Sequence, residues 1–449
     1  MPHRPTLAHR ELEAGTLGSV SDSTASDLAG VLTPAGYKLL NDLWRDGDYT
    51  TQDTLKLSER LRAAGHEPAV VSSVLTQLKL RTAAEPKFGP FVDQMLFTDA
   101  GLQQATPLKV AAHHARRFAR AAVDEVIDLG SGLGADSLAI AGLDIPVTAV
   151  EIDETTAAAT TINLMAFPHA KVEVADAIQW VQDHPVPEGT ARGYWLDPAR
   201  RKTLSQGTVR IFDPEAFSPP LSFVEDLADI GYALGVKLGP ALAHEVVPAT
   251  AEAQWVSLNG NVVEAVLWFN MAQRSDVRRA ALVIHPTGAA ELTAATDFGQ
   301  SPAVPVSGIE GATGYLFEPD GAVIRAGLVT DLMVEHFMDG DPTHASAGRQ
   351  LDEHIAYFCS DVYRETPFAD GYRIIEVLPY KIKTLRRYLK DHGVTRLDIK
   401  KRGVDVSPEE LRRTLMQGLN TKKPASGAHL TLVLTRVGDA RYAIAVEPI

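Results

Sequence analysis

Acidic residues and glycines recur in this sequence directly after short apolar runs of the kind that form buried parallel strands. They are Asp128 with the turn Gly130-Ser131-Gly132-Leu133-Gly134, then Glu151, Asp176 and Asp197, and a lysine, Lys237, lies at the end of a further run. Ligands of an open α/β sheet bind beyond the carboxyl ends of its strands, so these residues are predicted to surround one ligand site. Each carboxylate, taken alone, could instead cap the helix that follows it.

The glycine turn suits a nucleotide-like ligand. Glycine permits a sharp turn and lets a ligand lie directly against the backbone. The helix predicted over residues 135–141 adds free N–H groups and a positive dipole end. Gly130-x-Gly132-x-x-Ala135 satisfies the dinucleotide fingerprint, and the same stretch also forms the pattern acid-x-Gly-x-Gly-x-Gly, beginning at Asp128. A tight strand-to-helix turn without any ligand is a third interpretation.

The second pattern resembles the first motif of the class I S-adenosylmethionine (SAM) methyltransferases. Glu151-Ile152-Asp153, Asp176-Ala177 and Asp197-Pro198 resemble their later motifs, over about residues 96–290. The resemblance implies that Glu151, with Ile152 beside it, accepts the ribose hydroxyls of SAM, that Asp176 and Ala177 meet the adenine, and that Asp128 and the glycine turn face the methionine portion. Upstream of the sheet, Gln104 and Thr106 are predicted to contact the cofactor or to cap a helix.

The stretch Asp197-Pro198-Ala199-Arg200 is predicted to meet the substrate. Methyltransferases of this kind that act on amino groups carry an acid or Asn, two prolines and an aromatic here. The acid orients the amine by accepting its hydrogen bonds. Ala199 and Arg200 depart from that pattern, although an Arg plane can stack on a base and contact phosphate. Asp197 and Pro198 are thus the predicted catalytic residues, and the predicted substrate contacts beside them are Arg200, Arg201 and Lys237.

Alternating strands and helices predict the elements that position these residues: an α/β fold with a Rossmann-like, seven-stranded methyltransferase sheet. Three helices are predicted near residues 36–45, 51–64 and 69–80. Asn259-Gly260 predicts a hairpin between residues 255–258 and 262–269 that supplies an antiparallel edge strand. The predicted domains are a helical region (1–95), the methyltransferase domain (96–295) and a C-terminal α+β region (311–449) that ends in a THUMP-like domain from about residue 376.

Charge is distributed unevenly along the chain. The whole sequence has a net charge of −14, yet residues 381–423 contain thirteen Lys and Arg against five Asp and Glu. This stretch resembles the THUMP-like domain attached to some bacterial methyltransferases, and the resemblance implies an RNA substrate, tRNA or rRNA. The predicted RNA contacts are Arg386, Arg387, Lys400, Lys401 and Arg402. A basic helix can also be an ordinary solvated surface.

Cys359 is the only cysteine, so the sequence excludes an internal disulfide and a cysteine-based metal site. Because it lies outside the strand-end motifs, on what resembles a helix face, methylation through a cysteine nucleophile is disfavoured and a small buried residue is expected. Composition and the polar N-terminus predict a cytoplasmic protein without membrane spans or a metal. The alternatives are a protein or small-molecule methyltransferase, a non-catalytic protein that keeps the SAM fold, and, more distantly, a nicotinamide-dependent dehydrogenase.

Overall fold

The structure, a computed structural model, describes residues 28–47, 49, 53–198, 201–204, 207–210, 214–344, 347–418 and 428–449, with backbone only at 201–204, 207–210 and 214. The chain divides into two compact units. The first comprises Met1–Leu238, Val247–Glu252 and Val266–Ser275, and the second Gly239–Val246, Ala253–Ala265 and Asp276–Ile449. Among the described residues, no helix is both long and apolar enough to cross a membrane.

Three helices open the described chain, as predicted: α1 (Pro34–Arg45), α2 (Thr54–Ala63) and α3 (Pro68–Phe88). Thr33 caps α1, because its Oγ1 accepts a hydrogen bond from the Gly36 N–H (3.1 Å). Helix α3 is longer than the predicted 69–80. Leu80, Ala84 and Phe88 are buried at a spacing of four residues, which continues the apolar face of the helix by two further turns.

The rest of the first unit alternates helices and strands. The elements are α4 (Asp99–Gln104), α5 (Leu108–Arg120), β1 (Glu125–Leu129), α6 (Ala135–Ala141), β2 (Val147–Glu151), α7 (Glu154–Leu164), β3 (Ala170–Val174), α8 (Ala177–Asp183), β4 (Arg192–Leu196), β5 (Arg201–Leu204), β6 (Gly207–Arg210), α9 (Leu221–Ile230) and β7 (Ala233–Leu238). Strands β1, β2, β3, β4 and β7 are parallel. β5 and β6 form a separate antiparallel pair.

The main sheet has nine strands rather than the predicted seven. Its remaining members are β8 (Glu252–Leu258), β9 (Asn261–Phe269), β10 (Arg279–His285) and β11 (Gly288–Ala294). The order is β11-β10-β8-β9-β7-β4-β1-β2-β3, and β8 and β9 each have residues in both units. The Asn259-Gly260 turn joins β8 to β9 with positive φ at both residues.

The predicted edge position of that hairpin is wrong. β10 pairs in parallel with β8, and β11 forms the edge instead. Six residues of β10 in succession, Arg279–Ile284, are buried, so both faces of this strand are covered, and it pairs with β8 on one side and β11 on the other.

In the second unit a seven-stranded sheet has the order β13-β14-β12-β15-β18-β17-β16. The elements are β12 (Tyr315–Pro319), α10 (Gly321–Arg325), α11 (Val329–His336), β13 (Arg349–Asp352), β14 (Ile355–Ser360), β15 (Ala369–Pro379), α12 (Ile382–Asp391), β16 (Val394–Lys401), α13 (Pro408–Met416), β17 (Ala428–Val437) and β18 (Ala440–Pro448). Helices α12 and α13 share an apolar core with the sheet through residues such as Leu389, Leu415 and Leu432.

Cys359 lies on strand β14, so its predicted helical setting is wrong. Aromatic and β-branched residues around it favour a strand. The residue is fully buried, as expected of a small apolar residue. Burial raises the pKa of the thiol to about 12, which leaves it protonated at neutral pH.

Candidate functional site

The acidic strand ends lie along one edge of the first unit's parallel strands. Asp128 on β1 is in register with Ala149 of β2 and Trp195 of β4. Glu151 ends β2, and its carbonyl accepts a hydrogen bond from Ala175 N–H (3.1 Å), the residue before Asp176. Asp197 follows β4 directly, and Lys237 is the penultimate residue of β7. The structure thus brings Asp128, Glu151, Asp176, Asp197 and Lys237 to the same sheet edge.

The glycine turn presents bare backbone at this edge. Gly130, Gly132 and Gly134 have φ values of 80°, 54° and 78°, a region that other residues rarely occupy. A Cβ added to Gly134 would lie 2.8 Å from Thr160 Cγ2, so this glycine is needed for the packing of α6 against α7. A Cβ on Gly132 would meet nothing within 4 Å. The backbone at Gly132 is therefore open to a ligand.

Glu151 connects the glycine turn to β2. Its Oε2 accepts a hydrogen bond from the Gly132 N–H and its Oε1 one from the Asp153 N–H, both at 2.9 Å. Burial raises the pKa of Glu151, and these backbone hydrogen bonds partly offset the rise. Each carboxylate oxygen can accept a further hydrogen bond. The side chain of the next residue, Ile152, is 54% exposed.

Asp176 caps a helix, as the alternative interpretation of strand-end acids expects. Its Oδ1 accepts hydrogen bonds from the N–H groups of Ile178 and Gln179, both at 3.0 Å, at the start of α8. The residue is exposed, and Ala177 is the first residue of the helix. Capping fixes the orientation of Asp176 at the sheet edge and leaves its predicted contact with adenine as a proposal.

The two candidate residues upstream of the sheet, Gln104 and Thr106, differ in burial. Gln104 ends α4 and is exposed. Thr106 is buried, and its hydroxyl donates to Asp136 Oδ2 and accepts from Lys237 Nζ, both at 2.9 Å. Lys87 of α3 donates to three carbonyls at the end of α4, among them that of Leu102 at 2.7 Å, and so holds this segment in place.

Asp197 forms an ion pair with Lys237, whose Nζ contacts Asp197 Oδ2. Lys237 is only 5% exposed, whereas the side chain of Asp197 is 28% exposed. The negative charge of Asp197 is therefore partly exposed at the sheet edge, whereas the positive charge of Lys237 is buried. Pro198 is buried next to Asp197. Arg200 lies outside the described residues, and for Arg201 only the backbone, in β5, is described.

Two buried carboxylates complete the site. Asp128 accepts a hydrogen bond from Ser137 Oγ (2.5 Å), and burial together with the nearby Asp136 raises the pKa of Asp128 to about 8. Asp136 lies 2.7 Å from His114 Nδ1. Burial raises the pKa of Asp136, but the hydrogen bond with His114 and the charge of Lys237 outweigh it and keep that pKa below its usual value.

Sequence reasoning missed His114, Asp136, Ser137 and Asn163. His114 stacks on Trp195 with ring centroids 4.3 Å apart. The amide of Asn163 bonds both backbone groups of Leu96 (2.7 and 3.1 Å) and the carbonyl of Leu133 (3.0 Å). Asn163 thereby ties the glycine turn to the segment before α4. Asp136 and Ser137 follow the turn directly, which was the available signal for both.

Comparisons with known proteins place this arrangement in a family. Two Mycobacterium tuberculosis proteins, from strains CDC 1551 / Oshkosh and ATCC 25618 / H37Rv, are each named as an uncharacterized S-adenosylmethionine-dependent methyltransferase. Each is 31% identical to this chain over 388 residues, which cover 84% of this chain and 95% of the relative. Residues 369–448 match a family model described as THUMP domain-like, and residues 24–84 match one described as a domain of unknown function, DUF8688.

A crystal structure from Porphyromonas gingivalis W83, described as that of a candidate methyltransferase, has the same fold. It matches with a TM-score of 0.66 at 17% identity, over 89% of this chain and 99% of that chain. The edge of the first unit also fits the chemistry of SAM: Glu151 can accept ribose hydroxyls, Asp128 can balance a cation, and the open backbone at Gly132 admits a ligand. The chain belongs to the S-adenosylmethionine-dependent methyltransferases, and S-adenosylmethionine is its cofactor.

Proposed function

We propose that the protein methylates a base of RNA, either tRNA or rRNA. The observation that carries this proposal is that one chain contains both a sheet edge that fits SAM and a match to THUMP domain-like proteins. The match lies in the second unit, which also presents a groove lined by three arginines. Asp197 is the proposed orienting residue for the substrate, because it follows β4 at the edge and is partly exposed.

The proposed cofactor contacts are those at the open glycine turn. Glu151 would hold the ribose, Asp176 and Ala177 the adenine, and Asp128 the methionine portion. SAM supplies an electrophilic methyl group on a sulfonium. The task left to the protein is to position the substrate nucleophile in line with that methyl group, with its lone pair exposed. Asp197 does this by accepting a hydrogen bond from the substrate group.

The proposed RNA surface is the groove between β16 and α13. Its volume is about 530 Å³, and its lining residues are Thr395, Arg396, Leu397, Asp398, Glu409, Arg412, Arg413 and Met416. Arg396, Arg412 and Arg413 are exposed, and they suit phosphate contacts. Leu397 and Met416 provide an apolar floor against which a base can pack.

Three of the basic residues that the sequence predicts as RNA contacts form contacts within the second unit. Arg386 donates to the carbonyls of Thr414 (2.9 Å) and Gln417 (2.5 Å) and so caps the end of α13. Lys400 pairs with Glu318 at 2.6 Å, and Arg402 approaches the same carboxylate at 4.0 Å. These contacts give the three residues a structural use within the second unit.

Arg387 and Lys401, by contrast, are exposed. Their exposure leaves both residues available for contact with RNA. The RNA test below therefore changes residues of the groove and leaves Arg386, Lys400 and Arg402 intact.

Reversing the three groove arginines should weaken RNA binding. The variant Arg396→Glu/Arg412→Glu/Arg413→Glu is expected to bind bulk tRNA at least about tenfold more weakly at low salt. Three lost phosphate contacts should reduce the slope of log K against log salt by about 2 to 3. The measurement is fluorescence anisotropy between about 25 and 200 mM KCl, a range over which the Debye length shortens about threefold.

The matched control carries the same charge change on exposed arginines of the first unit, Arg62→Glu/Arg116→Glu/Arg120→Glu. If both triple variants lose affinity equally, overall charge rather than the groove determines binding. Wild-type protein that does not bind tRNA or rRNA would remove the RNA proposal and favour a protein or small-molecule substrate.

Cofactor binding should depend on pH through Asp128. Its raised pKa, about 8, leaves the carboxyl protonated at lower pH, and a cationic cofactor beside it favours the ionised form. SAM affinity should therefore rise by up to about tenfold per pH unit toward pH 8 and level off above it. Titration calorimetry from pH 6 to pH 9, a range spanning about three pH units, measures this. Asp128→Asn should bind with much less pH dependence; an unchanged profile would contradict the assignment.

The same pKa shift has the opposite effect on folding. Between the ordinary Asp pKa, 3.8, and about 8, the folded protein keeps a proton that the unfolded chain has released. Asp128 therefore makes the cofactor-free protein less stable as the pH rises through this window.

A further inference from the structure

We infer that Lys237 is a positioning residue that holds the carboxylate of Asp197 in place for methyl transfer, rather than a contact for the substrate itself. This inference rests on the proposed role of Asp197 toward the substrate. Lys237 is the penultimate residue of a central strand, β7, and is only 5% exposed, so little of its surface can meet a substrate. Its Nζ contacts Asp197 Oδ2 and donates to Thr106 Oγ1 at 2.9 Å.

The ion pair belongs to a longer buried chain of polar contacts. Thr106 Oγ1 donates to Asp136 Oδ2 (2.9 Å), and Asp136 Oδ1 lies 2.7 Å from His114 Nδ1. The five residues come from β7, from the end of β4, from the α4–α5 connection, from α6 and from α5. Because each member is fixed by an element of its own, the chain locks the Lys237 ammonium at one point behind Asp197.

The charges of Lys237 and Asp197 stabilise each other. A buried ammonium is costly unless an anion and hydrogen-bond acceptors surround it. Asp197 supplies the anion on the open side, and Thr106 supplies an acceptor on the inner side. In return, the fixed ammonium restricts the side chain of Asp197, which would otherwise rotate at a partly exposed position.

Lys237 also acts on the cofactor side through its charge. The carboxyl of Asp128 is affected by Asp136, Asp197 and Lys237, and the lysine is the member that favours its ionised form. The sign gives a useful readout. Removing the lysine takes away a charge that favours the ionised carboxyl, so the pKa of Asp128 should rise and the pH at which SAM affinity levels off should move upward.

The test compares Lys237→Met, Lys237→Arg and Thr106→Val with wild type, and uses Lys79→Met, an exposed lysine on α3, as the control. The first measurement needs no substrate. Calorimetry with SAM from pH 6 to pH 9, a range of about three pH units, should show that Lys237→Met moves the levelling-off of SAM affinity upward by about half a pH unit or more. Lys237→Arg and Lys79→Met should leave the pH at which SAM affinity levels off near the wild-type value.

The second measurement is transfer of tritiated methyl from SAM to RNA isolated from cells that lack the gene. Lys237→Met should lower kcat by about 30- to 100-fold with a KM for SAM within about threefold of wild type. Lys237→Arg should recover part of the loss, and Thr106→Val should fall between Lys237→Met and wild type. A merely structural lysine would lower stability without this split between kcat and KM.

The outcomes separate the inference from the proposed function. Wild-type protein that transfers no methyl to RNA removes the RNA proposal, and the pH profile of SAM binding by Lys237→Met still tests the lysine. Lys237→Met that keeps kcat within about twofold, or that leaves the pH profile of SAM binding unchanged, overturns the inference. Should Lys237→Met fail to fold, Thr106→Val tests the positioning role instead, because it removes the inner acceptor of the Lys237 ammonium; a kcat of Thr106→Val equal to that of wild type would then overturn the inference.

Discussion

Asp197→Ala is expected to lower kcat for methyl transfer by about 10²- to 10³-fold, with SAM affinity changed by less than about threefold. The carboxylate follows β4 at the sheet edge and is held by Lys237, while the proposed cofactor contacts come from β1, β2 and β3. Loss of an orienting acceptor should therefore affect turnover and spare cofactor binding. Methyl transfer from tritiated SAM and calorimetry on the same preparation measure the two effects.

Two further variants complete this experiment: Asp197→Asn is a conservative replacement, and Asp226→Ala is the control. The amide keeps the shape and one acceptor but removes the charge, so its activity should lie between wild type and Asp197→Ala. Asp226 is an exposed residue of α9, and its replacement should leave kcat unchanged. Transfer by Asp197→Ala at more than half the wild-type rate would show that another residue orients the substrate.

Glu252→Ala is expected to lower the free energy of unfolding by about 3–5 kcal/mol. Glu252 has no exposed surface and binds the guanidinium groups of Arg117 and Arg274; Arg117 Nη1 donates to Oε2 at 3.0 Å and Arg274 Nη2 to Oε1 at 2.6 Å. Removal of the carboxylate leaves both cations without their shared anion. Urea unfolding at pH 7 measures the loss, and Glu188→Ala, at an exposed position, should change stability by less than about 0.5 kcal/mol.

This effect should weaken in acid. Burial raises the pKa of Glu252, but the hydrogen bonds of Arg117 and Arg274 outweigh it and hold the pKa below the usual 4.5. The stabilisation is therefore fully present above pH 4.5 and is lost as the pH falls through the lowered pKa. A difference between wild type and Glu252→Ala that stays constant on acidification would contradict the role of the ionised carboxylate.

Local pattern was enough to predict much of the fold. Thr33-Pro34 marks the start of α1, the three glycines lead into α6 with the predicted bounds, and Asn259-Gly260 joins β8 to β9. Each signal depends on residues close together in sequence. The position of β10 could not be predicted in this way, because an apolar run does not specify which strand it pairs with.

The residues of the candidate site likewise fall into those that a local pattern could predict and those that it could not. Acids that directly follow apolar runs could be found because the carboxyl ends of parallel strands share one edge. The contacts of Lys237 with Thr106 and of His114 with Asp136 could not, since 131 and 22 residues separate these partners. Burial of Lys237, which changes its proposed role from substrate contact to positioning, depends on packing that no local pattern records.

The most direct measurement is calorimetry of S-adenosylhomocysteine with wild type and with Glu151→Ala. Glu151 is the proposed ribose acceptor and anchors the Gly132 N–H at 2.9 Å, so the variant should bind about 10- to 100-fold more weakly. Glu154→Ala, an exposed neighbour in the first turn of α7, should bind as wild type does. Equal affinity of Glu151→Ala and wild type would contradict the assignment of the cofactor to this sheet edge.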